Sequence, residues 1–252
     1  MQPVGADRVL ADPNCILFWN HGETFRRHLL SSRGDESALF AVDTDAAQDI
    51  IAESDPSVRD RAEPFVIRRA PSDPRSFMTQ AAIMRAAMSG EALDPIEWQE
   101  ATLALVRHAV RCAYAPTNTE GRRPPTARRR TQMEAVEQTR AFLASNWSRS
   151  LSLMDIAERI GFSPYHLCRV FRSGTGRSLH EYLTQLRLRG ALDSIASQPA
   201  NALTQVASTC GFANHSHLTR AFRAAFGLTP STARRLIAEG RLGELRRSLG
   251  II

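Results

Sequence analysis

The chain has 252 residues, 43% of them apolar and 23% charged, the balance of a globular protein long enough for two ordinary domains and unlike a disordered tail. Its net charge of +6 hides two opposite halves: residues 1–121 hold 12 Arg against 18 acids, net −6, and residues 122–252 hold 20 Arg against 8 acids, net +12. The longest apolar run near the start, Cys15 to Trp19, is too short for a signal peptide or a membrane span, so a cytoplasmic protein with no membrane partner is expected.

Every basic side chain other than histidine is arginine. A GC-rich genome produces that without selection, but it does not explain the asymmetry between halves. A basic half joined to an acidic one points to a polyanionic partner, nucleic acid first. The four cysteines, Cys15, Cys112, Cys168 and Cys210, are scattered and read as reduced thiols.

In chain order, residues 9–43 alternate short β-favouring runs with turn signals at Asp12-Pro13-Asn14, Asn20-His21-Gly22 and Arg33-Gly34-Asp35, which predicts four short antiparallel strands. Thr44 or Asp45 caps a helix running to about Glu53, and a strand is predicted over 65–68. Residues 76–89 and 94–114 have helical spacing, the second with Asp94 as cap and Pro95 in its first turn, so the two form an antiparallel pair. Four strands leave an open sheet whose apolar face, with Ile16, Phe18, Leu39 and Val42, needs cover. The helix pair, a second chain or both are expected to supply it, with Trp98, Leu103, Val106 and Val110 as contributors to a helical dimer contact. Residues 115–130, rich in Pro, Thr, Gly and Arg, read as a linker.

The basic half reads as helical throughout. A helix over 131–146 is followed by a capping box at Ser152 and Asp155, a stop at Gly161, a second start at Ser163-Pro164, and a long helix over 178–197. Within it lies an internal repeat. Ala157, Gly161 and Phe162 recur as Ala207, Gly211 and Phe212; then Leu167, Arg169, Phe171, Arg172 and Gly176 recur as Leu218, Arg220, Phe222, Arg223 and Gly227. Each copy is a short helix, a glycine turn and a second helix. With Leu167, Val170 and Phe171, or Leu218, Ala221 and Phe222, turned inward, the outward faces carry Tyr165, Cys168, Arg169 and Arg172 in one copy and His215, Ser216, Thr219, Arg220 and Arg223 in the other. Polar and cationic groups beside a helix N-terminus can meet phosphates and base edges together.

These residues resemble the AraC/XylS-type bacterial transcriptional regulators. The resemblance covers roughly residues 131–235 and rests on His-Leu-Cys-Arg-Val-Phe-Arg (166–172), Thr-Gly-Arg-Ser-Leu-His-Glu-Tyr-Leu (175–183), the Arg-containing stretch 186–192, Gly-Phe-Ala-Asn-His-Ser-His-Leu (211–218) and Phe-Arg-Ala-Ala-Phe-Gly-Leu-Thr-Pro (222–230). It implies an α+β N-terminal domain, made of a partial antiparallel sheet and a helical hairpin, followed by an all-α double helix-turn-helix domain. The expected divisions are a shortened cupin-like or dimerisation domain over 1–114, the linker, a DNA-binding domain over 131–240 and a tail over 241–252. By motif position Tyr165, Cys168 and Arg169 match base readers of the first unit, and His215, Ser216, Thr219 and Arg220 those of the second; Cys168 stands where the family often has a long polar residue. The implied partners are double-stranded DNA and RNA polymerase, with a homodimer and a small-molecule effector as further candidates, and activation of transcription is the expected role.

An architectural DNA binder and a DNA-repair-associated protein are the competing classes. The second needs a specially placed thiol or an activated carboxylate pair, and the sequence points to neither, so no enzyme is expected. His166, His180, His215 and His217 have no thiol or carboxylate at ligand spacing, and His21 and His28 form no cupin-type set, so no metal or cofactor is expected.

Overall fold

The computed structural model describes residues 2–3, 9–26, 28, 37–89, 94–114 and 127–251. Most of the expected linker and the turn at Arg33-Gly34-Asp35 lie outside the described residues. The N-terminal part combines small antiparallel strand pairs with a helical hairpin, and helices alone build the C-terminal part.

The strands differ from the expected four-stranded sheet. β2 (Cys15–Leu17) pairs antiparallel with β4 (Arg69–Pro71), Ile16 opposite Ala70, and β1 (Gln2–Pro3) pairs with β3 (Phe25–Arg26). Residues 37–43 run into the first helix without strand pairing, and Leu39 is 84% exposed instead of covered. The cause lies in the side chains. Asn20 accepts from the Phe65 amide at 2.9 Å and donates to its carbonyl at 3.0 Å, taking the place of a ladder at the position where a strand over 65–68 was expected. Strand pairing begins at Arg69, preceded by one backbone bond from the Phe18 amide to the Arg68 carbonyl at 3.1 Å, and Phe65 stacks on Phe18 with centroids 5.2 Å apart.

Helices cover the strands. α1 (Thr44–Ala52), the 3-10 turn Pro56–Asp60 and the C-terminal half of α3 (Pro95–Ala113) enclose Phe18 and Ala70 with Ile50, Ile51, Val58, Val110 and Ala113, and Val106 packs at the edge. Asp94 caps α3 by accepting from the Ile96 amide at 2.8 Å, as its sequence position predicts. Trp98 faces a different core, and Leu103 is exposed.

The C-terminal part consists of α4 (Ala127–Asn146), α5 (Leu153–Ile160), α6 (Pro164–Thr175), α7 (Leu179–Ser197), α8 (Leu203–Thr209), α9 (His215–Phe226), α10 (Pro230–Ala238) and α11 (Leu242–Leu249). α11 falls in the segment expected as a tail. Two cores flank α7. One joins α4, α5, α6 and the first half of α7 around Leu143, Leu167, Phe171 and Leu186. The other joins the second half of α7 to α8–α11 and also to α2 (Pro74–Ser89) and α3, with Met78, Ala82 and Ile83 among Leu192, Leu218, Phe222 and Leu245. Trp147 packs against both. The helical hairpin is thus part of the second core as well as the strands' cover.

A buried polar seam ties the N-terminal part to α4 and α7. Arg140 of α4 reaches Asp12 Oδ2 at 2.5 Å, Tyr182 of α7 donates to the same oxygen at 2.7 Å, and Glu137 ties Arg140 to Arg69 of β4 at 2.9 Å. Burial pushes the Glu137 carboxyl up, but Arg69 and Arg140 outweigh it and hold it below the usual range. Beside it Arg189, 2% exposed, donates to Asn14 Oδ1 at 2.7 Å and the Ser72 carbonyl at 2.9 Å and lies 4.5 Å over the Phe77 ring. Two cations of the basic half are therefore spent inside the molecule.

Candidate nucleic-acid interface

The two copies of the repeat share their turn and the caps of their second helices, while a capping box opens only the first copy, α8 starting after Ala202 with no side-chain cap. In the first, Ser152 and Asp155 close a reciprocal box at the start of α5, at 3.1 and 3.2 Å, and the two Ser152 hydrogen bonds hold the Asp155 carboxyl below its ordinary value. α5 stops at Gly161, with φ 76°, and the Phe162 amide returns to the Ala157 carbonyl at 3.0 Å. In the second, Gly211 has the same φ of 76° and the Phe212 amide returns to Ala207 at 2.9 Å. Ser163 and Asn214 then cap α6 and α9 through the His166 and His217 amides, at 3.4 and 2.9 Å, and Gly176 and Gly227 end them with positive φ. The histidines flank the turns: His166 stacks on Phe162, and His217 meets Phe212 edge-on.

The two units are seated against each other. Arg187 of α7 donates to the carbonyls of Trp147 and Arg149, both at 2.9 Å, and so fixes the loop after α4. The second turn comes up against that loop. A Cβ at Gly211 would lie 2.9 Å from Arg187 Nε and 3.0 Å from the Ser148 carbonyl, so glycine is required there by space as well as by φ.

The expected faces divide as the spacing predicts. On α6, Leu167, Val170 and Phe171 are buried, Tyr165 is 81% exposed, and Arg169 and Arg172 are exposed. Cys168 is half-buried and packs against the first core, where a thiol offers at most a weak donor. On α9, Leu218 and Phe222 are buried, and His215, Ser216, Thr219, Arg220, Arg223 and Ala224 line one open concave surface. Thr219 Oγ1 stands 3.5 Å from His215 Nε2, and Arg169 leans on His166 Nδ1 at 3.2 Å. Among the described residues none of Arg169, Arg172, Arg220 and Arg223 is held in an ion pair, in contrast to Arg140. These guanidiniums present fork-shaped donors to solvent, the geometry that phosphate and guanine edges accept. What sequence reasoning missed is the role of arginines turned inward: Arg140, Arg187 and Arg189 fix the scaffold that carries the two faces.

A family model described as a helix-turn-helix domain matches residues 156–236, which spans both turns. The chain is 28% identical over 102 residues to the Msm operon regulatory protein of Streptococcus mutans, covering 40% of this chain and 36% of that protein. It is 28% identical over 128 residues to the bifunctional transcriptional activator/DNA repair enzyme AdaA of Bacillus subtilis (51% and 59%) and 27% identical over 114 residues to the multiple antibiotic resistance protein MarA of Escherichia coli (45% and 89%). The chain thus spans between about a third and three fifths of the first two relatives' own length. None of the helices among the described residues is long and apolar enough to cross a membrane.

Proposed function

We propose that this chain, whose residues 156–236 match a helix-turn-helix domain, is a sequence-specific DNA-binding regulator of transcription of the AraC/XylS type that sets α6 and α9 into two successive major grooves on one face of the duplex. The observation that carries this is the pair of matched units held against one another through α7, each with unpaired arginines on its outer face. Tyr165, Arg169 and Arg172 serve the first half-site, and His215, Ser216, Thr219, Arg220 and Arg223 the second, with Cys168 contributing shape. The role is one of binding without a chemical step, exercised in the cytoplasm and on the path to RNA polymerase. A homodimer contact or a small-molecule effector belongs to the N-terminal part.

Selection of bound sites from random double-stranded DNA, followed by footprinting, tests the reading. Two conserved half-sites centred about 10 base pairs apart are expected. Binding without sequence preference would replace regulation by an architectural role, and no binding would remove the proposal.

A further inference from the structure

Away from the DNA-facing helices, the start of α2 and the C-terminal half of α3 bring three metal-ligating side chains to one point. Asp73 Oδ2 stands 3.1 Å from His108 Nε2, His108 Nε2 stands 3.7 Å from Cys112 Sγ, and Cys112 Sγ stands 4.0 Å from Asp73 Oδ2. All three residues are half-buried. His108 and Cys112 are four residues apart, one turn of α3, and so share a face. Asp73 is fixed by capping α2: its Oδ1 accepts from the amides of Arg75 and Ser76 at 2.9 and 3.3 Å, which directs Oδ2, also bonded by the Ser76 hydroxyl, toward α3.

A catalytic relay does not explain this arrangement. A relay uses both imidazole nitrogens, one toward the acid and one toward the nucleophile, whereas here the carboxylate and the thiol converge on the same nitrogen. The His108–Asp73 contact is an ion pair by itself, but the thiol drawn to the same nitrogen adds a third donor, and three donors converging on one point is also the arrangement around a shared ion. Zinc bonds of about 2.0–2.1 Å to nitrogen, 2.0–2.2 Å to oxygen and 2.3 Å to sulfur, at tetrahedral angles, place the ligand atoms roughly 3.3–3.6 Å apart. The three observed edges match that triangle to within about 0.4 Å, a gap that small side-chain rotations close. We propose that Asp73, His108 and Cys112 form a three-ligand site for zinc(II), with a fourth position for water or an external donor. The donor set selects the metal: a carboxylate disfavours copper(I), a thiolate disfavours magnesium and calcium, and zinc accepts all three. The site lies one residue from Ser72, which Arg189 of α7 grips, and shares no residue with α6 or α9, so its occupancy stands or falls independently of the proposed function.

The test is titration of the reduced, tag-free full chain with cobalt(II), a spectroscopic substitute for zinc. One equivalent is expected to bind, with a thiolate-to-cobalt band in the near ultraviolet and the visible bands of a tetrahedral centre, all discharged by zinc. Cys112→Ser should abolish the near-ultraviolet band. His108→Gln and Asp73→Asn should each weaken cobalt binding by at least about 10-fold, the low end of what even outer-shell changes cost. Asp73→Asn retains a capping oxygen, so unchanged circular dichroism separates lost ligation from lost folding. Absence of a thiolate band in the unaltered chain under excess cobalt overturns the proposal. So does a band that survives in Cys112→Ser, because it would place the metal on Cys15, Cys168 or Cys210.

Discussion

Arginine plays two opposite parts in this chain, and burial separates them. Arg169 and Arg220 are exposed at matching positions of the two units, so Arg169→Ala and Arg220→Ala should each cost about 1–3 kcal/mol of binding and relax preference at one base, in different half-sites. Competition with singly substituted DNA sites measures this; equal weakening on every sequence would make them phosphate contacts. Arg140 is 4% exposed and faces the fully buried Asp12 carboxylate, so Arg140→Leu leaves a buried charge with too few partners. Denaturant unfolding should show a loss of about 3–5 kcal/mol, part of it recovered by adding Asp12→Leu. The sequence displays the outward arginines because their repeat is local and their spacing helical. It does not display the inward ones, since the partner of Arg140 lies 128 residues away and Tyr182 reads as one more apolar position of α7. His108 and Cys112 show the same limit: their spacing of four is visible, but Asp73, 35 residues from His108, is brought to them only by the fold.

Helices were legible where caps announced them, except that α1 starts after Asp43 with no side-chain cap hydrogen bond, instead of being capped by Thr44 or Asp45. Asp94, Ser152, Ser163 and Ser178 each accept from the amide two or three residues on, as their positions before apolar periodic runs predict. The strands were not, because runs of two or three residues carry little alternation and their partners are set by Asn20 and by residues 69–71. Gly190 shows packing overruling propensity within a helix. Alanine would gain about 1 kcal/mol there on propensity alone. Its Cβ, however, would lie 2.3–2.9 Å from the Trp147 ring, which is wedged between both cores. Overpacking costs about 1–3 kcal/mol, so Gly190→Ala should lower stability, and thermal unfolding gives the sign.

At the scale of the whole molecule, the second core includes Met78, Ala82, Ile83, Ala101 and Leu105 from the hairpin. A fragment of residues 122–252 should therefore retain its DNA preference but melt earlier than the full chain and bind a hydrophobic dye, because the faces of α7 and α11 that meet α2 are uncovered. DNA binding by the full chain should fall steeply with salt, with a log–log slope of about −5 to −7 if six to eight phosphates are contacted. Equilibrium titrations between low and physiological salt check the slope, and a value near zero would exclude an electrostatic footprint. The seam also bears on synthesis. Asp12 is 170 residues ahead of Tyr182, so at about 5–20 residues per second its carboxylate waits roughly 10–30 s before the hydroxyl that satisfies it is made. The apolar faces of α2 and α3 wait alongside it, since the helices that cover them are translated later. During that interval the nascent chain exposes apolar surface of the kind that chaperones hold, so the yield of soluble protein from a cell should depend on how fast it is translated and how warm the culture is kept.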